Sequence, residues 1–196
     1  MSRMFTGCKN LRSVKMAGMD TSHATDFSYL FRECSSFSDI DTACLNTSSA
    51  LDMTHMFAAT GISTIDLSHF DTSNVKSIDG MLSACKHLKD IDLSSFDMSK
   101  LGETPNLFDN CPSLERITVG DKCAVSFPEP GGSRATGNWI NTASNEIYAP
   151  INVPANVAAT YESQLDVTQF PFFYNPDDVT YTGSPIEKKV TSTLKQ

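Results

Sequence analysis

A pattern of about 26 residues recurs five times between Met4 and Val119, and a chain built this way has few choices of fold. The copies are marked by the pairs Met4-Phe5, Leu30-Phe31, Met56-Phe57, Met81-Leu82 and Leu107-Phe108, whose second members stand 26, 26, 25 and 26 residues apart. Each pair leads into a spaced apolar set: Leu11, Val14, Met16, Met19; Phe37, Ile40, Thr42, Leu45; Ile62, Ile65, Leu67, Phe70; and Leu88, Ile91, Leu93, Phe96. The fifth set stops at Leu114, Ile117 and Val119. A unit this short cannot bury its apolar face alone, so the copies are expected to stack around one continuous core.

Within a copy, "STIDLS" and "KDIDLS" alternate apolar and polar residues, the period of a half-buried strand, and predict one rung of a parallel sheet. The polar run Asp71-Thr72-Ser73-Asn74 predicts a corner. After it, Val75, Ile78, Leu82 and Cys85 are spaced 3, 4 and 3, as are Ala24, Phe27, Phe31 and Cys34, which predicts a short helix facing inward. Gly102 and Pro105 interrupt the last of these helices. Asp20, Asn46, Asp71 and Asp97 form a column at the corner, where an Asx side chain at a helix start accepts a backbone N–H.

The L-x-x-I-x-L core resembles that of leucine-rich repeats, and "IDLSHFDTSNVKSIDGMLSAC" followed by "IDLSSFDMSKL" resembles the 26-residue variant of BspA-like bacterial surface proteins. "TGNWINTASNEIYAP" and Ala158-Ala159-Thr160-Tyr161 resemble the W-x(n)-Y segment and short helix that follow such arrays in Gram-positive surface proteins. The resemblance implies an α/β fold, a leucine-rich-repeat solenoid with a parallel β-sheet and short helices, closed by a small β-rich C-terminal cap. It also implies an extracellular, cell-wall-associated location and adhesion to host or neighbouring cells. No catalytic or binding residue carries over, because the motif positions are scaffold positions.

The expected organisation is a repeat array over 1–124, a capping region over 125–183 and a linker or tail over 184–196. Past Gly120, "FPEPGGSRATG" is a Pro- and Gly-rich connection, and "NWI", "EIYAPI", "FPFFY" and "VTYTG" read as short strands. Trp139, Tyr148, Tyr161, Phe170, Phe172, Phe173, Tyr174 and Tyr181 read as an apolar cover for the stack, with an aromatic sugar site as the alternative. "MSRMF" enters a repeat at its helix, from which a parent protein continuing upstream is expected, together with self-association through the bare N-terminal end.

Cys8, Cys34, Cys85 and Cys111 each follow the marker position by three residues. No His shares their phase, so they read as buried, reduced thiols rather than a metal or redox centre, although stacking distances leave a Cys8–Cys34 or Cys85–Cys111 disulfide open. Cys44 and Cys123 lie off this phase, which leaves both exposure and redox state open for them.

The residues flanking the central apolar position of each strand should form an exposed sheet face, with Asp41, Asp66 and Asp92 in one column and Asp39 and Asp90 beside it. These five are the candidate binding residues. The competing reading is a solvated face that resists aggregation. No D-x-D-x-D-G run supports calcium, and no G-x-S-x-G turn or His in register with a repeated Ser supports a nucleophilic enzyme. The net charge of −8, from 15 Lys and Arg against 23 Asp and Glu, argues against nucleic acid, and no apolar run is long enough for membrane insertion. The expectation is a non-enzymatic module without cofactor or metal that binds an unknown protein of the host or cell-surface kind, with a glycan-binding module or an architectural stalk as the alternative.

Overall fold

The computed structural model describes residues 1–16, 18–38, 41–131 and 137–165. The repeats lie one on the next, yet the fold is not the expected α/β leucine-rich-repeat solenoid. The described chain is mostly β, with one open, mixed five-stranded sheet, and its one helical element is the 3-10 turn Pro150–Asn152.

Backbone hydrogen bonding explains why the helices are absent. Phe27, Tyr29, Phe31 and Glu33 donate their N–H groups to the carbonyls of Asp52, Thr54, Met56 and Ala58 in the next repeat, at 2.8–2.9 Å. Leu30, Arg32 and Cys34 turn back to the carbonyls three residues earlier, each at 3.2 Å. An α-helix needs successive N–H groups for its own i−4 carbonyls, and here every second one is committed to a neighbour. The next repeat does the same, with Met53, His55, Phe57 and Ala59 donating to Ser77, Asp79, Met81 and Ser83. Left-handed residues recur four apart, at Tyr29 (φ 58°) and Glu33 (61°), His55 (54°) and Ala59 (57°), and Gly80 (64°) and Ala84 (57°), a backbone no α-helix contains. The spacing of 3 and 4 survives because overlapping turns return the same side chains to one face. Phe27, Leu30, Phe31 and Cys34 are all fully buried. The rings of Phe5, Phe31 and Phe57 stack along the repeats, with centroids 5.3 and 5.8 Å apart.

Among the described residues only the last two repeats build strands, β1 (Asp90–Leu93) and β2 (Arg116–Val119), paired in parallel with Ile91 opposite Ile117 and Leu93 opposite Val119. The rung expected between Ile65 and Ile91 does not form. Lys89 donates its N–H to Ser63, and no further backbone hydrogen bond among the described residues joins the two segments; between the second and third repeats, side chains take the carbonyls a ladder would use. The Thr42 hydroxyl donates to Asp66, and a His69 ring nitrogen lies 2.8 Å from the Thr42 carbonyl. Ile65 is accordingly half-buried, whereas Leu67, Ile91 and Leu93 are buried.

Beyond β2 the sheet turns antiparallel. It continues through β3 (Gly137–Asn141), β4 (Ile147–Tyr148) and β5 (Ala159–Leu165), in the order β1-β2-β5-β3-β4. Ala159-Thr160-Tyr161, expected in a helix, lies in β5 and pairs with β2. Trp139 and Tyr161 are fully buried, with Phe127 edge-on to both at 5.4 and 5.1 Å, and the indole N–H donates to Pro128. Phe170, Phe172, Phe173, Tyr174, Tyr181 and the segment 184–196 lie outside the described residues.

The shorter third spacing has a local cause. Two residues separate Cys34 from Phe37, but Gly61 alone separates Thr60 from Ile62. A Cβ on Gly61 would collide with the Ser35 carbonyl of the preceding repeat. Gly120 stands in the same relation to the Ser94 carbonyl.

Candidate functional site

The candidate carboxylates were expected on a sheet face, and most of them are turn residues instead. One oxygen of Asp41, Asp66 and Asp92 accepts the N–H of Ala43, Ser68 and Ser94 at 3.1, 2.9 and 2.8 Å. All three are exposed and recur at the same place in the second, third and fourth repeats, and Oδ2 of each has no hydrogen-bond partner among the described residues. Hydrogen bonds from the amide and hydroxyl of Ser68 hold Asp66 below the ordinary carboxylate value. Asp90 is separate from this column. It is half-buried in β1 and ion-paired to Arg116 at 3.0 Å, and Arg116 also reaches Glu162 of β5 at 3.1 Å. Asp39 lies outside the described residues.

The corner column behaves as expected in its hydrogen bonds, though no helix follows it. Asp20, Asn46, Asp71 and Asp97 accept from the N–H of Ser22, Ser48, Ser73 and Ser99 at 2.9, 3.1, 2.9 and 3.0 Å. A third such column, which sequence reasoning missed, comprises Asp26 and Asp52, accepting from Ser28 and Thr54. The recurrent Asp-x-Ser/Thr triplet was its available signal, because a short side-chain acceptor two residues before an amide favours an Asx turn. Also missed were the buried hydroxyls of Thr21, Thr47 and Thr72 beside that corner. Each donates to a carbonyl of the next repeat at 3.1 Å and accepts the same residue's N–H at 2.7–2.8 Å.

The cysteines are free, and their environments divide differently from the repeat phase. Cys34, Cys85 and Cys111 are buried and donate to the carbonyls of Phe5, Phe57 and Leu82 at 3.1–3.2 Å. Cys8, expected to be inaccessible, is exposed because it belongs to the first repeat and no described repeat covers it from above. Cys123, whose exposure the sequence leaves open, is buried against Met98. Burial pushes the thiols of Cys34 up to about 11 and of Cys111 and Cys123 up to about 12, away from thiolate chemistry.

A cleft of about 590 Å³ lies between residues 98–105 and 121–124. Its Glu103 and Asp121 are exposed, and its Lys122 is engaged with Asp97 at 3.1 Å. Among the described residues no three His, Cys, Asp or Glu side chains converge as for a metal ion, and no helix is long and apolar enough to cross a membrane.

Neither a curated protein nor a solved structure matches the chain. Residues 1–119 match the family DUF285, described as Mycoplasma protein of unknown function. No leucine-rich-repeat or BspA family matches, so the resemblance to those surface proteins is overturned, and the extracellular location and host adhesion it implied lose their basis. With more than half its length covered by that match, the chain belongs to the DUF285 family.

Proposed function

We propose that the chain is a non-enzymatic protein-binding module whose acidic column takes a basic partner. The observation that carries this reading is the fixed presentation of Asp41, Asp66 and Asp92. Each carboxylate has one oxygen tied by a backbone amide and the other turned to no partner among the described residues. A row of carboxylates that is already oriented loses little entropy on meeting Lys or Arg, and its field raises the encounter rate.

The test is Asp→Asn at positions 41, 66 and 92 together. Asn removes the charge and keeps the turn acceptor, as Asn46 does naturally at another corner. Proteins retained by the full chain should be lost with the triple variant, mainly through slower association that is sensitive to salt. Equal retention by the variant would leave the column with its turn role alone.

A further inference from the structure

A stretch of the seam between repeats is missing in the interior of the array. The Thr25 carbonyl takes the N–H groups of Leu51 and Asp52 at 2.8 and 3.2 Å, and the Leu51 carbonyl takes those of Lys76 and Ser77 at 2.8 and 3.3 Å. One repeat further on, at Gly102 and Glu103, the pattern stops. Neither residue donates to Lys76 or to any other described carbonyl, and the seam resumes where the Gly80 N–H reaches Asn106 at 2.8 Å. Gly102, Glu103 and Thr104 are exposed, and their amides have no acceptor among the described residues.

This loop is one wall of the cleft of about 590 Å³, a volume within the span of small-ligand sites. The buried Met98 and Pro105 and the half-buried Leu101 supply its apolar lining. Its free charge has one sign. Glu103 and Asp121 make no hydrogen bond or ion pair among the described residues, while Lys122 is held by Asp97 at 3.1 Å.

We propose that this cleft binds a short extended segment of a partner polypeptide through a basic side chain. The segment's carbonyls take the amides of Gly102, Glu103 and Thr104, and the cation of its Arg or Lys meets Glu103 and Asp121. The aliphatic stem of that side chain lies on Met98, Leu101 and Pro105. A long cationic side chain suits such a site, because its stem is apolar and its head seeks charge and water. Main-chain pairing adds affinity, and the side-chain pocket adds selectivity. None of Asp41, Asp66 and Asp92 lines the cleft, so it is separate from their column.

The probe is acetyl-Leu-Arg-Leu-amide, titrated into the full chain with amide chemical shifts as the readout, beside an analogue with citrulline in place of arginine. Shifts should move at residues 101–104 and 121–124. The citrulline peptide keeps the shape and loses the charge, and should bind at least about tenfold more weakly. Glu103→Gln together with Asp121→Asn should weaken the arginine peptide to a similar degree. Gly102→Phe should abolish binding by filling the cleft while the fold keeps its spectrum, since a Cβ at Gly102 meets nothing within 4 Å. Asp→Asn at positions 41, 66 and 92 should leave this binding unchanged, so that failure of the column and failure of the cleft are read separately. Equal binding of both peptides, no binding of either, or loss of binding in that triple variant would overturn the proposal. So would movement of the same shifts with rising chain concentration that the peptide does not reverse, by placing a second copy in the cleft.

Discussion

Thr47 and Asp71 hold each other twice: the Thr47 hydroxyl donates to the Asp71 carbonyl at 3.1 Å and accepts the Asp71 N–H at 2.8 Å. Thr47 is buried, so this pair joins two repeats without water. Thr47→Val keeps the shape and strands both backbone groups, at an expected cost of about 1–3 kcal/mol. Thr47→Ser should retain most of the stability. Urea unfolding of the two variants checks this, and equal midpoints would remove the clamp from the account.

Ile91 sits in β1 opposite Ile117 and is 3% exposed. Truncation to Ala should cost about 2–5 kcal/mol through lost burial and the cavity left behind. Ile65→Ala, at a half-buried place outside any strand, should cost clearly less. The ranking, read from unfolding midpoints at constant m-value, tests the register.

Thiol labelling of the native chain should proceed at Cys8 first and Cys44 next, with Cys34, Cys85, Cys111 and Cys123 slow until denaturant is added. The order follows exposure together with the raised thiol values of the buried set. Mass spectrometry of partly labelled protein resolves the six sites, and early labelling of Cys123 would contradict its packing on Met98.

Acid should destabilise the stack through its corners. Hydrogen bonds from the Ser22 and Ser73 hydroxyls and amides hold Asp20 and Asp71 below the ordinary carboxylate value, and Ser99, aided by Lys122, brings Asp97 to about 2. A carboxylate that binds its proton more weakly folded than unfolded adds stability that is complete above its unfolded value, roughly 3.9. That stability is lost as the pH falls toward the folded value. The urea midpoint should therefore drop between about pH 5 and pH 2. Asp71→Asn should narrow the difference between neutral and acid midpoints while leaving the corner intact, as Asn46 shows it can be.

The repeat spacing, the burial of the marker residues from Leu30-Phe31 onward and the turn role of Asp20, Asn46, Asp71 and Asp97 were legible in the sequence, because each depends on contacts repeated at one interval. The helix was not excluded by that pattern. Phe27, Leu30, Phe31 and Cys34 bury the same face in a helix or in overlapping turns, and what separates the two is the destination of the Tyr29 and Phe31 amides. The left-handed backbone at Tyr29, Glu33, His55 and Ala59 gave no warning either, since none is Gly or Asn. The binding column was misassigned for a related reason. Alternation in "STIDLS" fits a strand, while Asp66 two residues before Ser68 fits an Asx turn, and the side-chain hydrogen bonds of Thr42 and His69 occupy the carbonyls a ladder would need.

Gly61 separates the two kinds of position in each unit where a residue can be gained or lost. In the ribbon from Met53 to Ala59, alternate amides face the next repeat, so one inserted residue would swap donors for acceptors and break the seam with both neighbours. At the Gly61 corner the third unit runs one residue short, yet the ribbon keeps its seam with the fourth unit, with Phe57 donating to Met81 at 2.9 Å and Ala59 to Ser83 at 2.8 Å. Genetic drift in the length of a unit is thus absorbed at such corners, provided the residue left behind has no side chain to set against its neighbour's carbonyl.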